Sequence, residues 1–177
     1  LPILSKVTLN GEAVKLVGDE LSVGDYAPEV ELVLADLKTL KVGGSSEKIQ
    51  VIATVPSLDT GVCAMETKKF NEKMANLKNV NFSVVSMDLP FALGRFCGAE
   101  NIKNINALSD FRCKEFGKKY GVLIDSGALK GLLARAIFVI DKDSKIIYKE
   151  VVSEITKEPN YDGVIKALNL GCGPRGC

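Results

Sequence analysis

The run over residues 50–55, Gln-Val-Ile-Ala-Thr-Val, is nearly continuous in apolar side chains and stops at Pro56. It lacks the alternation of a half-exposed strand, so it fits a strand covered on both faces. Proline cannot donate to a sheet ladder, and the strand has to end there. Beyond the turn Pro56-Ser57-Leu58-Asp59-Thr60-Gly61, a helix is expected over 62–77. A second buried strand follows at 81–87, Asn-Phe-Ser-Val-Val-Ser-Met. Two buried strands joined through a helix form a parallel pair, which needs helices packed on the sheet.

The rest of the chain extends that unit. Residues 6–14 read as a hairpin, because Asn10-Gly11 suits a type I′ turn between two short strand-like runs. Residues 29–34 alternate charged and apolar like a half-buried strand, and 41–48 read as a loop. Pro90 suits the first position of a short helix over 91–97, and another short helix is expected over 111–120. The apolar run 134–140 turns through Asp141-Lys142-Asp143-Ser144 into 145–148, a second hairpin, and 161–168 closes as an amphipathic helix. This order predicts the α/β class: a thioredoxin-like fold with a central mixed β-sheet, flanking helices and an N-terminal β-hairpin. No internal repeat or low-complexity stretch is present. With 177 residues, one domain over 1–177 is expected, with 1–5 and 171–177 as flexible ends.

Composition narrows the chemistry. Apolar residues at 46% and charged residues at 25% exclude a disordered or fibrous chain. A net charge of +1 gives no electrostatic reason to expect a nucleic-acid or anionic-membrane partner. No apolar run approaches the roughly 18 residues that a membrane span needs. Histidine is absent. Catalysis by Ser-His-Asp or Cys-His pairs, HExxH zinc chemistry and imidazole bases are therefore excluded. The five cysteines, Cys63, Cys97, Cys113, Cys172 and Cys177, are odd in number and irregularly spaced, with no CxxC pair. That argues against a secreted disulfide framework and gives a structural zinc little support. Residues 1–6 show no signal-peptide pattern, so reduced thiols in a cytoplasm are expected. Cys113 reads as a small buried hydrophobe. Cys172 and Cys177 fall in a glycine-rich tail whose alternative reading is a labile disulfide or adventitious metal.

Cys63 stands where a buried strand has ended and a helix begins. Free amide N–H groups and the positive end of the helix dipole meet there, and both favour a thiolate. Positions 63, 70 and 77, with Met74 beside them, share one helical stripe, so the sulfur should face the body of the protein. On position alone, an inert core thiol fits as well as a reactive one. Thr60 reads as a helix N-cap that can also hydrogen-bond a substrate oxygen. Pro56 reads as a strand terminator that can also stiffen the approach and shield the sulfur. The three together form P-x-x-x-T-x-x-C, a far more specific signal than any one of them.

That motif resembles the signature of the peroxiredoxins, and the full string 56–63 resembles their thiol peroxidase branch. Asp88-Leu89-Pro90-Phe91-Ala92 with Arg95-Phe96-Cys97-Gly98-Ala99-Glu100 is similar to that branch's resolving-cysteine segment. Residues 130–136, Asp141, Glu154-Ile155-Thr156, Glu158-Pro159 and Tyr161 also match, and the similarity runs from about residue 6 to about residue 170. The resemblance implies that Cys63 is the peroxidatic thiolate, attacking a hydroperoxide and becoming a sulfenic acid. It implies that Arg135 activates the sulfur and polarises the O–O bond, with Thr60 and Pro56 shaping the site. Arg135 taken alone reads as a solvated strand end. Cys97 would be the resolving cysteine, closing an intramolecular Cys63–Cys97 disulfide. Both cysteines are expected on helices, so local unwinding is expected, with Gly61 and Gly94 as hinges. The resemblance further implies no bound cofactor, thioredoxin as reductant, an antioxidant role and a homodimer. The alternative is a thioredoxin-fold redox sensor or relay that passes oxidation from Cys63 to a client protein. A thiol-bound metal site is a weaker third reading.

Overall fold

In the computed structural model the described residues are 6–171. They form eleven strands and four helices: β1 Val7–Leu9, β2 Glu12–Val14, β3 Leu16–Val17, β4 Val30–Leu34, β5 Thr39–Val42, β6 Ile49–Thr54, α1 Gly61–Met74, β7 Val80–Ser86, α2 Pro90–Ala99, β8 Asn106–Ser109, α3 Glu115–Lys119, β9 Leu123–Ile124, β10 Ala136–Ile140, β11 Ile146–Val151 and α4 Tyr161–Gly171. A seven-stranded sheet in the order β11-β10-β6-β7-β8-β4-β5 forms the centre. Strands β6, β7 and β8 run parallel, while β10, β11, β4 and β5 pair antiparallel. This is the expected mixed sheet of a thioredoxin-like fold. The N-terminal hairpin β1–β2 turns at Asn10 and Gly11, both at positive φ (51° and 85°), as a type I′ turn requires.

Both sheet faces are buried. From β6, Val51 and Ala53 point into one apolar cluster, and from β10 Ile137 and Val139 join them under α1, α2 and α4. Ile52 of β6 and Phe138 of β10 point the other way, into a second cluster closed by β1, β3, β9 and α3. The period-2 geometry of a strand thus splits one continuous apolar run between two cores. Phe138 sits at the centre of the second, fully buried, with the ring of Tyr120 at 5.1 Å edge-on and that of Phe116 at 6.4 Å.

Several expectations need correction. The loop expected over 41–48 is shorter: Lys41 and Val42 belong to β5, which folds back on β4 through a turn with Leu37 at φ 72°. Gly43 begins the loop at φ 77°, where a Cβ would lie 2.0 Å from the Pro28 carbonyl oxygen. The helix expected over 111–120 shrinks to Glu115–Lys119. Lys114 takes a left-handed conformation just before it, and the Asp110 carboxylate accepts from the amides of Phe116 and Gly117. Strands β3, β8 and β9 were not anticipated; each has four residues or fewer and little periodicity to read. Helix α1 stops at Met74, so Leu77 lies beyond it, though still packed on the first cluster. Cys113 is exposed, not buried, because its segment is turn rather than helix. Helix α4 reaches Gly171, the first residue of the expected flexible tail; residues 1–5, Cys172 and Cys177 lie outside the described residues. Among the described residues no helix is long and apolar enough to cross a membrane.

Removing the Phe138 ring leaves a cavity against the edge of the stacked Phe116 and Tyr120 rings that rigid strands cannot close. Phe138→Ala is expected to lower the unfolding free energy by about 3–5 kcal/mol, measured by urea denaturation; a loss below about 1 kcal/mol would mean that this core collapses freely.

Candidate active site

Strand β6 delivers the chain to Pro56, and the loop 56–60 turns it into α1. Thr60 occupies the N-cap position with extended backbone (φ −100°, ψ 147°). Contrary to the N-cap reading, its hydroxyl does not cap the helix; it donates back to the Ser57 carbonyl at 2.9 Å. The loop is held from the opposite side by Asp88. That carboxylate accepts from Ser57 Oγ at 2.7 Å, from the Leu58 amide at 2.8 Å and from Ser86 Oγ at 2.8 Å. Asp88 lies just ahead of α2, so one side chain ties the loop before Cys63 to the start of the helix that carries Cys97.

Cys63 is the third residue of α1 and is fully buried. Its stripe holds as expected: Phe70 and Met74 lie behind it in the same apolar cluster. The Cys63 carbonyl accepts from Thr67 Oγ1 at 2.9 Å, which stiffens the first turn. Arg135 approaches from the residue immediately before β10. It is 1% exposed, so it is not a solvated strand end. Its Nη2 donates to Cys63 Sγ at 3.2 Å, its Nε to the Ile155 carbonyl at 3.0 Å, and its Nη1 to Glu66 Oε2. Burial pulls the Arg135 pKa down, but the Glu66 carboxylate and the Cys63 sulfur outweigh that and hold it above its usual value.

Pro56, Thr60 and Arg135 meet at one open cavity of about 220 Å³, whose other walls include Leu9, Val62, Leu129 and Ile155. Four of the five expected residues therefore converge: three on the cavity and Cys63 against Arg135 behind it. Cys97 stands apart on α2, half-buried, where loss of water pushes its thiol pKa up. Cys63, Cys97 and Cys113 are all free. A buried thiol gripped by a fixed cation beside a small apolar cavity can act as a nucleophile toward an uncharged substrate with a polar bond to break.

Sequence reasoning missed one carboxylate, Glu66, and gave no role to a second, Glu154, which it named only as part of a matching segment. Glu66 lies one turn after Cys63 and is 1% exposed. A carboxylate at i+3 on a stripe otherwise made of Cys63, Phe70 and Met74 was a legible signal, since buried acids require a partner. Glu154 accepts from Thr8 Oγ1 (3.0 Å), from the amides of Gly11 (2.9 Å) and Thr156 (2.9 Å), and from Thr156 Oγ1 (2.7 Å). It pins the N-terminal hairpin to the segment that supplies Ile155 to both Arg135 and the cavity. The amide of Thr156 leads these donors in holding Glu154 down at about 2.

Burial pushes Glu66 up to about 7, against the pull of Arg135. The folded protein thus holds a proton that the unfolded chain releases near 4.5. The stabilising contribution is complete below about pH 4.5 and is lost as pH rises through about 7. In urea titrations of the reduced protein, wild type minus Glu66→Gln is expected to fall across that window by up to about 3 kcal/mol. A flat difference would show that Glu66 does not titrate there.

The comparisons agree with this geometry. Residues 22–165 match the Redoxin family model. The thiol peroxidase of Aquifex aeolicus is 58% identical over 162 residues, covering 92% of this chain and 95% of its own. That of Campylobacter jejuni is 54% identical over 177 residues, covering 98% and 99%. A crystal structure of a peroxiredoxin-like protein from Aquifex aeolicus superposes with a TM-score of 0.88 at 58% identity, covering 90% of this chain and 93% of that one. The chain therefore belongs to the redoxin family and, within it, to the thiol peroxidases, oxidoreductases that reduce peroxides.

Proposed function

We propose that the chain reduces hydrogen peroxide and organic hydroperoxides with Cys63 as the attacking thiolate, Cys97 as the resolving thiol and thioredoxin as the reductant, in antioxidant defence. The observation that carries this reading is the Arg135 guanidinium, which donates to Cys63 Sγ at 3.2 Å while lining the cavity where a substrate can enter. Arg135 keeps positive charge at the sulfur and faces the O–O bond of a bound peroxide. Thr60 Oγ1, now donating to Ser57, is free to accept from the peroxide O–H. Pro56 closes one wall without adding a competing donor. The sulfur attacks the terminal oxygen, the O–O bond breaks with its electron pair on the leaving oxygen, and Cys63 becomes a sulfenic acid. The apolar walls from Leu9, Val62, Leu129 and Ile155 suit the alkyl part of an organic hydroperoxide.

Resolution then joins Cys63 to Cys97 with loss of water. A disulfide needs the two Cα atoms within about 7 Å. The cysteines start on different helices, so α1 and α2 have to loosen. Among the described residues packing does not demand glycine at either expected hinge: a Cβ at Gly61 meets nothing within 4 Å, and at Gly94 it meets the Ala35 methyl at 3.5 Å. That leaves the two glycines available for backbone change in another state. A single domain over 1–177, a homodimer and a cytoplasmic location belong to the same reading.

One equivalent of cumene hydroperoxide added to reduced protein, followed by alkylation and non-reducing peptide mass analysis, is expected to give a Cys63–Cys97 link. Cys63→Ser should abolish turnover with thioredoxin, and Cys97→Ser should stop at the sulfenic acid. Arg135→Lys should lower kcat/KM by on the order of 10²-fold or more, because it removes a donor fixed at the developing charge. Oxidation that scatters over Cys113, Cys172 and Cys177 would overturn the reading. A Cys63–Cys97 link formed without sustained turnover would favour the relay.

A further inference from the structure

Arg135 is a single enclosed cation with two potential anions on it. Cys63 Sγ lies against Nη2 and Glu66 Oε2 against Nη1, and the three residues are 0–1% exposed. Were both anions ionised, the enclosed group would carry a net negative charge, which a low-dielectric site disfavours. Glu66 has a second oxygen, Oε1, that is buried with no hydrogen-bond partner among the described residues. An ionised carboxylate with one bare buried oxygen is poorly stabilised; a protonated carboxyl loses far less there.

The other charged and titratable groups facing Glu66 reinforce this. Glu150 of β11 and Glu158 of the segment before α4 both repel its negative form. Lys69, on α1, is engaged by Glu158 at 2.9 Å, and the Tyr161 hydroxyl of α4 also donates to Glu158. Arg135 is therefore the cation in contact with Glu66, and it is shared with the sulfur.

We propose that Glu66 is the charge-compensating partner of Cys63: it is protonated while the sulfur is a thiolate, and it ionises against Arg135 when oxidation removes the sulfur's charge. The inference rests on the peroxidase reading above. In the reduced state the site holds S⁻, guanidinium and COOH. The sulfur lone pair forms the S–O bond, the O–O bond breaks with its pair on the leaving oxygen, and that oxygen takes a proton to become alcohol or water. The site then holds SOH, guanidinium and COO⁻, and the proton gained by the leaving oxygen equals the one lost by Glu66. Condensation with the Cys97 thiol releases water and changes no charge. Peroxide reduction and disulfide formation together thus consume no proton from bulk solvent, and Arg135 is matched by one anion throughout. Glu66 acts through Arg135 and is a positioning residue.

The test counts protons. Reduced protein near pH 6, where burial keeps Glu66 protonated, is mixed in weak buffer with one equivalent of tert-butyl hydroperoxide and a pH-indicator dye; thiolate ultraviolet absorbance is followed in parallel and the disulfide is checked by peptide mass. The expected wild-type result is loss of thiolate absorbance with no proton uptake, whereas Glu66→Gln takes up one proton per disulfide. Uptake of one proton by wild type overturns the proposal, as does reduced protein without thiolate absorbance, since the proton then sits on sulfur. Should Glu66→Gln fail to fold, infrared difference spectra of wild type with ¹³C-labelled glutamate decide it. A carboxylic-acid carbonyl band is expected in the reduced protein only, and its absence from the reduced protein overturns the proposal. In these outcomes the disulfide still forms and the peroxidase reading stands; failure to form it at all sinks both.

Discussion

A guanidinium removed from water must have its donors satisfied and its charge matched, and Arg135 meets both demands by drawing three segments together. Nε takes the Ile155 carbonyl, Nη1 takes Glu66 and Nη2 takes Cys63. Losing any one of these would leave a buried donor bare at a cost of about 1–3 kcal/mol or more. The arginine itself is fixed by the sheet. Its carbonyl accepts from the Val152 amide at 2.9 Å, and the preceding Ala134 carbonyl accepts from Thr54 Oγ1 at 2.7 Å. The cation is therefore placed by strands β10 and β6, and the helix carrying Cys63 has to dock where that charge already is.

The docking is governed by the two-faced sheet. Helix α1 packs its Phe70 and Met74 on the face presented by Val51, Ala53, Val84 and Ile137, with Phe70 meeting Phe82 at 4.7 Å and Tyr161 at 4.9 Å. That packing sets the rotation of α1 and turns Cys63 and Glu66 toward Arg135 together, because they lie on the same helical face. Glu154, with four donors, ties the N-terminal hairpin to the segment bearing Ile155. The second core thus holds one wall of the cavity, and the first core holds the sulfur.

What was legible in the sequence follows from the range of each signal. The run at 50–55 fits a buried strand best and Pro56 suits its end, so the position of Cys63 at a helix start was readable from local chemistry. Asn10-Gly11 marked its hairpin for the same reason. Strand β8, Asn106–Ser109, carries almost no pattern of its own and forms because β7 and β4 present open ladders on either side. The segment around Cys113 has helical composition, but it is held as a turn by the Asp110 carboxylate, which accepts amides six and seven residues ahead. Arg135 looked like a solvated strand end because nothing nearby in sequence neutralises it; its partners are 69 and 72 residues away. Glu66 was the exception, a local clue passed over because acids on helices are usually solvated.

The two thiols of the proposed cycle differ in what the fold does to each. Cys63 is buried, yet its sulfur rests on a guanidinium, so burial there strengthens the attraction to a cation instead of merely removing water. Cys97 is half-buried with no cation against it among the described residues, and burial pushes its thiol up. A thiol in that state attacks poorly, because the thiolate is the nucleophile. Loosening α2 would bring Cys97 toward Cys63 and also return it to water, which removes what holds it as a thiol. In the proposed cycle movement and reactivity would be coupled in one element, and Asp88, bonded to the loop before Cys63 and standing at the head of α2, lies between the two parts that would move. In the structure as it stands, burial favours the thiol form of Cys97, whereas the Cys63 sulfur has the Arg135 guanidinium against it.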